Sequence, residues 1–173
     1  MLGLRIDDTA GLGGVPLRWV VVGTGDFNGD RKADIPWRDR ISDTVAIWFM
    51  NGLQVASSGT LGSVSGWSVV GTGDFDGDGN GDILWRENAT GTVTIWLLDG
   101  LQVSQSRTLG AVPNDWAVAE TGDFDGDGRS DILWRNTTTG DTAIWFIRGV
   151  RVTSSASIGT VATDWTIQGL NAI

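Results

Sequence analysis

The sequence predicts an all-β fold, a segment of a β-propeller made of four-stranded antiparallel blades of about 49 residues each, and three observations carry that expectation. The chain repeats itself: residues 67–115 and 116–164 are each 49 residues long and match at 25 positions without a gap, and residues 19–66 form a third copy of 48. Each copy holds four stretches rich in Val, Ile, Leu, Thr and Trp, separated by Gly, Asn and Asp turns, with no helical spacing of apolar residues. All ten Trp fall into three sets by place in the repeat: Trp19, Trp67, Trp116 and Trp165; Trp37, Trp85 and Trp134; Trp48, Trp96 and Trp145.

In the second copy the four expected strands cover residues 67–71, 82–86, 93–98 and 101–108. The third, Val93-Thr-Ile-Trp-Leu-Leu98, carries large groups on both alternating sets of positions, which predicts a sheet covered on both faces. Blades that cover one another meet that need, whereas the coils of a stacked β-helix are shorter than this period. Residues 3–19 align with 100–116, and the last nine residues align with the opening of the preceding copy. The expected division is therefore residues 1–18 as the fourth strand of an incomplete blade, three blades at 19–66, 67–115 and 116–164, and residues 165–173 as the first strand of another incomplete blade.

Composition narrows the chemistry. With no Cys and no His, the 173 residues offer no disulfide, no Cys/His zinc site and no His- or Cys-based catalytic group. An apolar content of 40% argues against disorder. A net charge of -9 argues against nucleic acid as a partner, because phosphate binding draws on clustered Lys and Arg. No apolar run approaches the roughly 18 residues that span a bilayer, and Met1-Leu-Gly-Leu-Arg5 lacks the regions of a signal peptide.

The most specific feature lies between the first and second strands. The second copy has Asp74-Phe-Asp-Gly-Asp-Gly-Asn-Gly-Asp82 and the third has Asp123-Phe-Asp-Gly-Asp-Gly-Arg-Ser-Asp131. Four carboxylates in nine residues repel one another unless a cation sits among them. Calcium takes six to eight hard oxygen ligands, so Asp74, Asp76, Asp78 and Asp82, and likewise Asp123, Asp125, Asp127 and Asp131, are the expected donors at positions 1, 3, 5 and 9. The position-7 carbonyls of Asn80 and Arg129 would complete the two shells, and the glycines at positions 4 and 6 permit the tight coil. An EF-hand opens in the same way but places a bidentate Glu at position 12, where this chain has Trp85 and Trp134.

The pattern W-x-V-x-G-T-G-D-F-D-G-D-G-x-x-D-I-L-W-R resembles the FG-GAP/VCBS repeats of bacterial secreted proteins, which are similar to the calcium-binding blades of the integrin α-subunit propeller. The resemblance implies a seven-bladed ring as parent architecture, calcium loops at the blade edge and an extracellular setting. The first copy departs from the pattern: its loop is Asp26-Phe-Asn-Gly-Asp-Arg-Lys-Ala-Asp34, with Asp26, Asn28, Asp30 and Asp34 as donors and the Lys32 carbonyl at position 7. Asn28 replaces a carboxylate, Arg31 replaces a glycine, and Pro36 removes a ladder donor from the second strand, so this site is expected to be the weakest of up to three. Eleven of the 21 acidic residues lie in the three loops; three bound calcium ions would bring the charge from -9 to -3.

Three function classes follow. The first is a calcium-stabilised binding or adhesion module of a secreted protein, recognising protein or glycan. The second is an assembling scaffold, either part of a longer propeller or a homo-oligomer that completes the ring between chains, a symmetric dimer being the simplest closed form. The third and weakest is a polysaccharide-active enzyme, because the acidic residues outside the loops form no recurring catalytic pair. The Trp sets are read chiefly as blade packing, with sugar-stacking clefts between blades as a second reading. The Trp-Arg pairs at 37–38, 85–86 and 134–135 are expected to bind acidic neighbours or backbone, with a ligand carboxylate as the second reading.

Overall fold

The computed structural model describes residue 11 and residues 14–167, and among them there is no helix. Twelve strands form three antiparallel sheets, each in simple up-and-down order. Blade 1 holds β1 (Trp19–Val21), β2 (Ile35–Asp39), β3 (Thr44–Asn51) and β4 (Gln54–Ser63). Blade 2 holds β5 (Trp67–Gly73), β6 (Asp82–Glu87), β7 (Thr92–Asp99) and β8 (Gln102–Ala111). Blade 3 holds β9 (Trp116–Gly122), β10 (Asp131–Asn136), β11 (Asp141–Ile147) and β12 (Val152–Thr160). These are the blades of a β-propeller segment that does not close into a ring. Most of the two expected terminal strands, at residues 1–18 and 165–173, lies outside the described residues; residues 14–18 and 165–167 carry no strand.

The core sits between blades. In blade 2, Ile83, Trp85 and Leu98 point to blade 1 and join Phe27, Val45, Ile47 and Phe49 in one apolar cluster. The alternate residues Leu84, Val93, Ile95 and Leu97 point the other way and join Ile132, Trp134 and Ile147 of blade 3. This is why β7 is apolar on both sides: a middle strand between two neighbours has no wet face. Outermost strands β4, β8 and β12 are mostly exposed and polar.

Pro36 does not interrupt β2, which runs through it with Pro36 opposite Ile47. Its carbonyl accepts from the Val22 N–H at 3.0 Å, so its nitrogen, which has no hydrogen, faces the same strand, β1. The missing donor falls on that side. Strand β1 accordingly spans three residues where β5 and β9 span seven, and pairing resumes only at the isolated Gly25 to Asp34 bridge.

Inner strands of adjacent blades are also tied by hydrogen bonds. The Thr72 hydroxyl donates to the Thr24 carbonyl at 3.0 Å, and the Thr121 hydroxyl donates to the Thr72 carbonyl at 2.7 Å. Arg86, on β6, donates to the carbonyls of Val112 (2.8 Å), Pro113 (2.9 Å) and Trp116, clasping the passage into the next blade. Arg38 instead pairs with Asp43 at 2.8 Å and donates to the Val64 carbonyl at 3.3 Å. The Trp-Arg pairs thus bind backbone and an acidic neighbour, as their positions predict.

Candidate metal centre

Each acidic loop coils because its own side chains hold the backbone. In loop 2 the Asp74 carboxylate accepts from the N–H of Gly77 at 2.6 Å and of Gly79 at 2.9 Å. In loop 3 the Asp123 carboxylate accepts from Gly126 (2.7 Å), Asp127 (3.1 Å) and Gly128 (2.9 Å). The coil requires left-handed backbone at positions 4 and 6, where φ is 83° and 91° in loop 2 and 80° and 85° in loop 3. Glycine reaches those angles without a Cβ clash. Loop 1 keeps the same coil with Arg31 at φ 65°, an angle that disfavours a side chain.

Two sets of carboxylates converge. One oxygen from each of Asp74, Asp76 and Asp78 lies within 4.8 Å of the others, and the same holds for Asp123, Asp125 and Asp131. Calcium binds oxygen at about 2.3 to 2.6 Å, so ligands on opposite sides of one ion stand about 5 Å apart at most. The spacing and the hard, charged donors therefore fit that ion. Among the described residues Asp26, Asp30 and Asp34 make no such group. Lys32 places its ammonium 2.9 Å from Asp30, and this hydrogen bond, ahead of all else, holds Asp30 below its ordinary pKa.

Position 9 has a second task that sequence reasoning missed. Asp82 accepts from the Phe75 N–H at 2.8 Å with one oxygen and from the Leu98 N–H at 2.9 Å with the other. Asp34 does the same with Phe27 (2.9 Å) and Met50 (2.8 Å), and Asp131 with Phe124 (3.0 Å) and Ile147 (2.9 Å). These buried carboxylates pin the loop to the end of the third strand. Burial pushes Asp82 up to about 7 against the pull of both N–H donors, and raises Asp34 and Asp131 as well. Asp76 is raised by burial first and by Asp78 second. Among the weaker causes, the Arg129 guanidinium acts in the opposite direction.

The position-7 side chains turn to position 5: the Asn80 amide donates to Asp78 at 3.1 Å and the Arg129 guanidinium to Asp127 at 2.9 Å. Arg129 also donates to the Asp76 carbonyl at 3.0 Å, so loop 3 touches loop 2. Position 8 strengthens that link. The Gly81 N–H donates to the Asp26 carbonyl at 2.5 Å and the Ser130 N–H to the Asp74 carbonyl at 2.6 Å. The signal in the sequence was only a small residue recurring in phase; its partner lies at the start of the preceding blade's loop.

The FG-GAP-like repeat model matches residues 74–134, from the first carboxylate of loop 2 to the second-strand Trp of blade 3. That stretch is similar to an FG-GAP-like repeat. It contains both converging carboxylate sets. No curated protein and no solved structure matches the chain.

Apart from the acidic loops, the blades carry Trp-lined clefts. One, of about 240 Å³, lies among Trp116, Trp134, Trp145, Val112 and Pro113; its counterpart in blade 1, of about 230 Å³, lies among Trp19, Trp37, Trp48, Val15 and Pro16. Second- and third-strand Trp rings sit 5.0 Å apart in blade 1 and 5.2 Å apart in blade 3, tilted by 55° and 57°. The buried indole N–H groups of Trp37, Trp85 and Trp134 have no acceptor among the described residues.

Proposed function

We propose that the chain is a calcium-stabilised propeller module of an exported protein, non-enzymatic, that recognises a protein or carbohydrate ligand. The convergence of three carboxylates in each of loops 2 and 3 carries the reading, because charged oxygens held this close repel one another unless a cation lies among them. Asp74, Asp76 and Asp78 would hold one ion and Asp123, Asp125 and Asp131 another, with calcium supplying positive charge that cancels their mutual repulsion. Loop 1 would hold a third ion weakly, since Lys32 competes for Asp30. FG-GAP repeats commonly bind calcium and are typical of extracellular proteins, which supports the same assignment.

A carbohydrate ligand is favoured over an extended peptide by the Trp clefts, where the partly exposed indoles of Trp116 and Trp145 suit the apolar face of a sugar ring. Calorimetric titration with calcium tests the metal: two tight sites and one weak one are expected, and no heat of binding contradicts the reading. A glycan array probed in calcium and in chelator tests the ligand, with signal expected in calcium alone. Hydrolysis of any arrayed polysaccharide by the chain would contradict the non-enzymatic assignment.

A further inference from the structure

Within the chain, blades pack in one fixed way. The trailing face of one blade, with its loop Phe and third-strand apolar residues, meets the leading face of the next, with its three Trp. Phe27, Ile47 and Phe49 bury against Ile83, Trp85 and Leu98; Phe75, Ile95 and Leu97 bury against Ile132, Trp134 and Ile147. At both junctions an arginine stacks on the second-strand Trp of the next blade. Arg38 lies 5.7 Å from the ring centre of Trp85, and Arg86 lies 5.6 Å from that of Trp134. Such stacking is favourable because the guanidinium is weakly hydrated and the indole face is electron-rich.

The chain also has one trailing face and one leading face with no blade against them among the described residues. On the trailing face of blade 3, Phe124 is 43% exposed, while Phe27 and Phe75 are 0%. Ile144 and Phe146 are half-buried where Ile95 and Leu97 are buried. On the leading face of blade 1, Trp37 is half-buried where Trp85 and Trp134 are 1% exposed. Among the described residues no arginine covers Trp37 and no indole lies under Arg135.

We infer that these open faces are the two halves of a third junction of the same kind, formed head to tail between two copies of this chain, with Arg135 of one copy stacked on Trp37 of the other. Arg135 already has the necessary posture. It donates to the carbonyls of Val161 (3.2 Å), Ala162 (2.7 Å) and Trp165, as Arg86 does to Val112, Pro113 and Trp116. Trp116 leads a complete blade, whereas Trp165 is 68% exposed. Val15, Pro16 and Trp19 of the incoming copy match Val112, Pro113 and Trp116 residue for residue, so Trp19 takes the place of Trp165 beside Arg135. The contact uses different patches on the two copies, so it is heterologous and builds a ring or a row.

Sedimentation equilibrium of the full chain tests this. A mass that is a multiple of 18.4 kDa is expected, and a monomer at every concentration overturns the inference. Arg135→Ala and Trp37→Ala should each weaken association at least about tenfold, because each removes one side of the central contact. Mixed in equal amounts, the two variants should regain a dimer and grow no further, since each keeps the face the other lacks. Regained association also shows that both variants fold. Variants that associate as tightly as the unmodified chain, or a mixture that stays monomeric while circular dichroism shows β structure in both, would overturn the head-to-tail contact.

Discussion

At the scale of single residues, the position-9 aspartates decide whether the loops exist at all. Replacing Asp82 by Ala leaves the N–H groups of Phe75 and Leu98 buried without acceptors, at about 2 to 4 kcal/mol. Urea denaturation in saturating calcium checks this, because the loss should persist when the metal sites are filled. Loop 1 offers the reverse experiment. Arg31→Gly relieves a left-handed angle at φ 65°, for a gain of about 0.5 to 1 kcal/mol, and adding Asn28→Asp should convert the weak site into a third tight one by calcium titration. Asp43 gives a pH signature. The Arg38 guanidinium, then the Ser65 hydroxyl, lowers its pKa below the ordinary 3.8. A depressed carboxylate stabilises the fold above its unfolded pKa and loses that contribution as pH falls through the folded value. Asp43→Asn should therefore melt earlier than the unmodified chain at pH 7, and the two melting curves should merge at pH below the lowered value. The carboxylate spacing was legible in the sequence. The pinning of Asp82 to Leu98 was not, because it depends on where a hairpin sixteen residues long folds back.

At the scale of elements, the strands follow from composition and period, and their ends follow from neighbours. The expected strand at 101–108 is observed as β8 (Gln102–Ala111), three residues longer at its far end, because β7 supplies partners for Gly110 and Ala111. Strand β1 is shorter than its counterparts for the opposite reason, since Pro36 offers it no donor. The recurring Thr-Gly-Asp at 24–26, 72–74 and 121–123 was visible, but its meaning required the structure: the hydroxyl reaches a carbonyl of the previous blade 48 or 49 residues away. The Arg86 clasp belongs to this scale too. Arg86→Ala removes three bonds to carbonyls and the stack on Trp134, and should cost about 2 to 3 kcal/mol. Loss of cooperativity between blades 2 and 3 should accompany it, readable as a broadened calorimetric transition.

At the scale of the whole molecule, the three sheets are held by apolar clusters between blades and by loops that touch from one blade to the next. The first carbonyls of loops 1 and 2 each accept from the following loop, so a cation that fixes one loop would also stiffen its neighbour's anchor. Most of the negative charge that marks this sequence sits in those loops, and the stability of the blades depends on what neutralises it. Scanning calorimetry in saturating calcium and in excess chelator tests that most directly. An ion bound at a hundred times its dissociation constant adds about 2.7 kcal/mol, so two sites should raise the melting temperature by about 10 °C or more. The same melting temperature in calcium and in chelator would contradict the account.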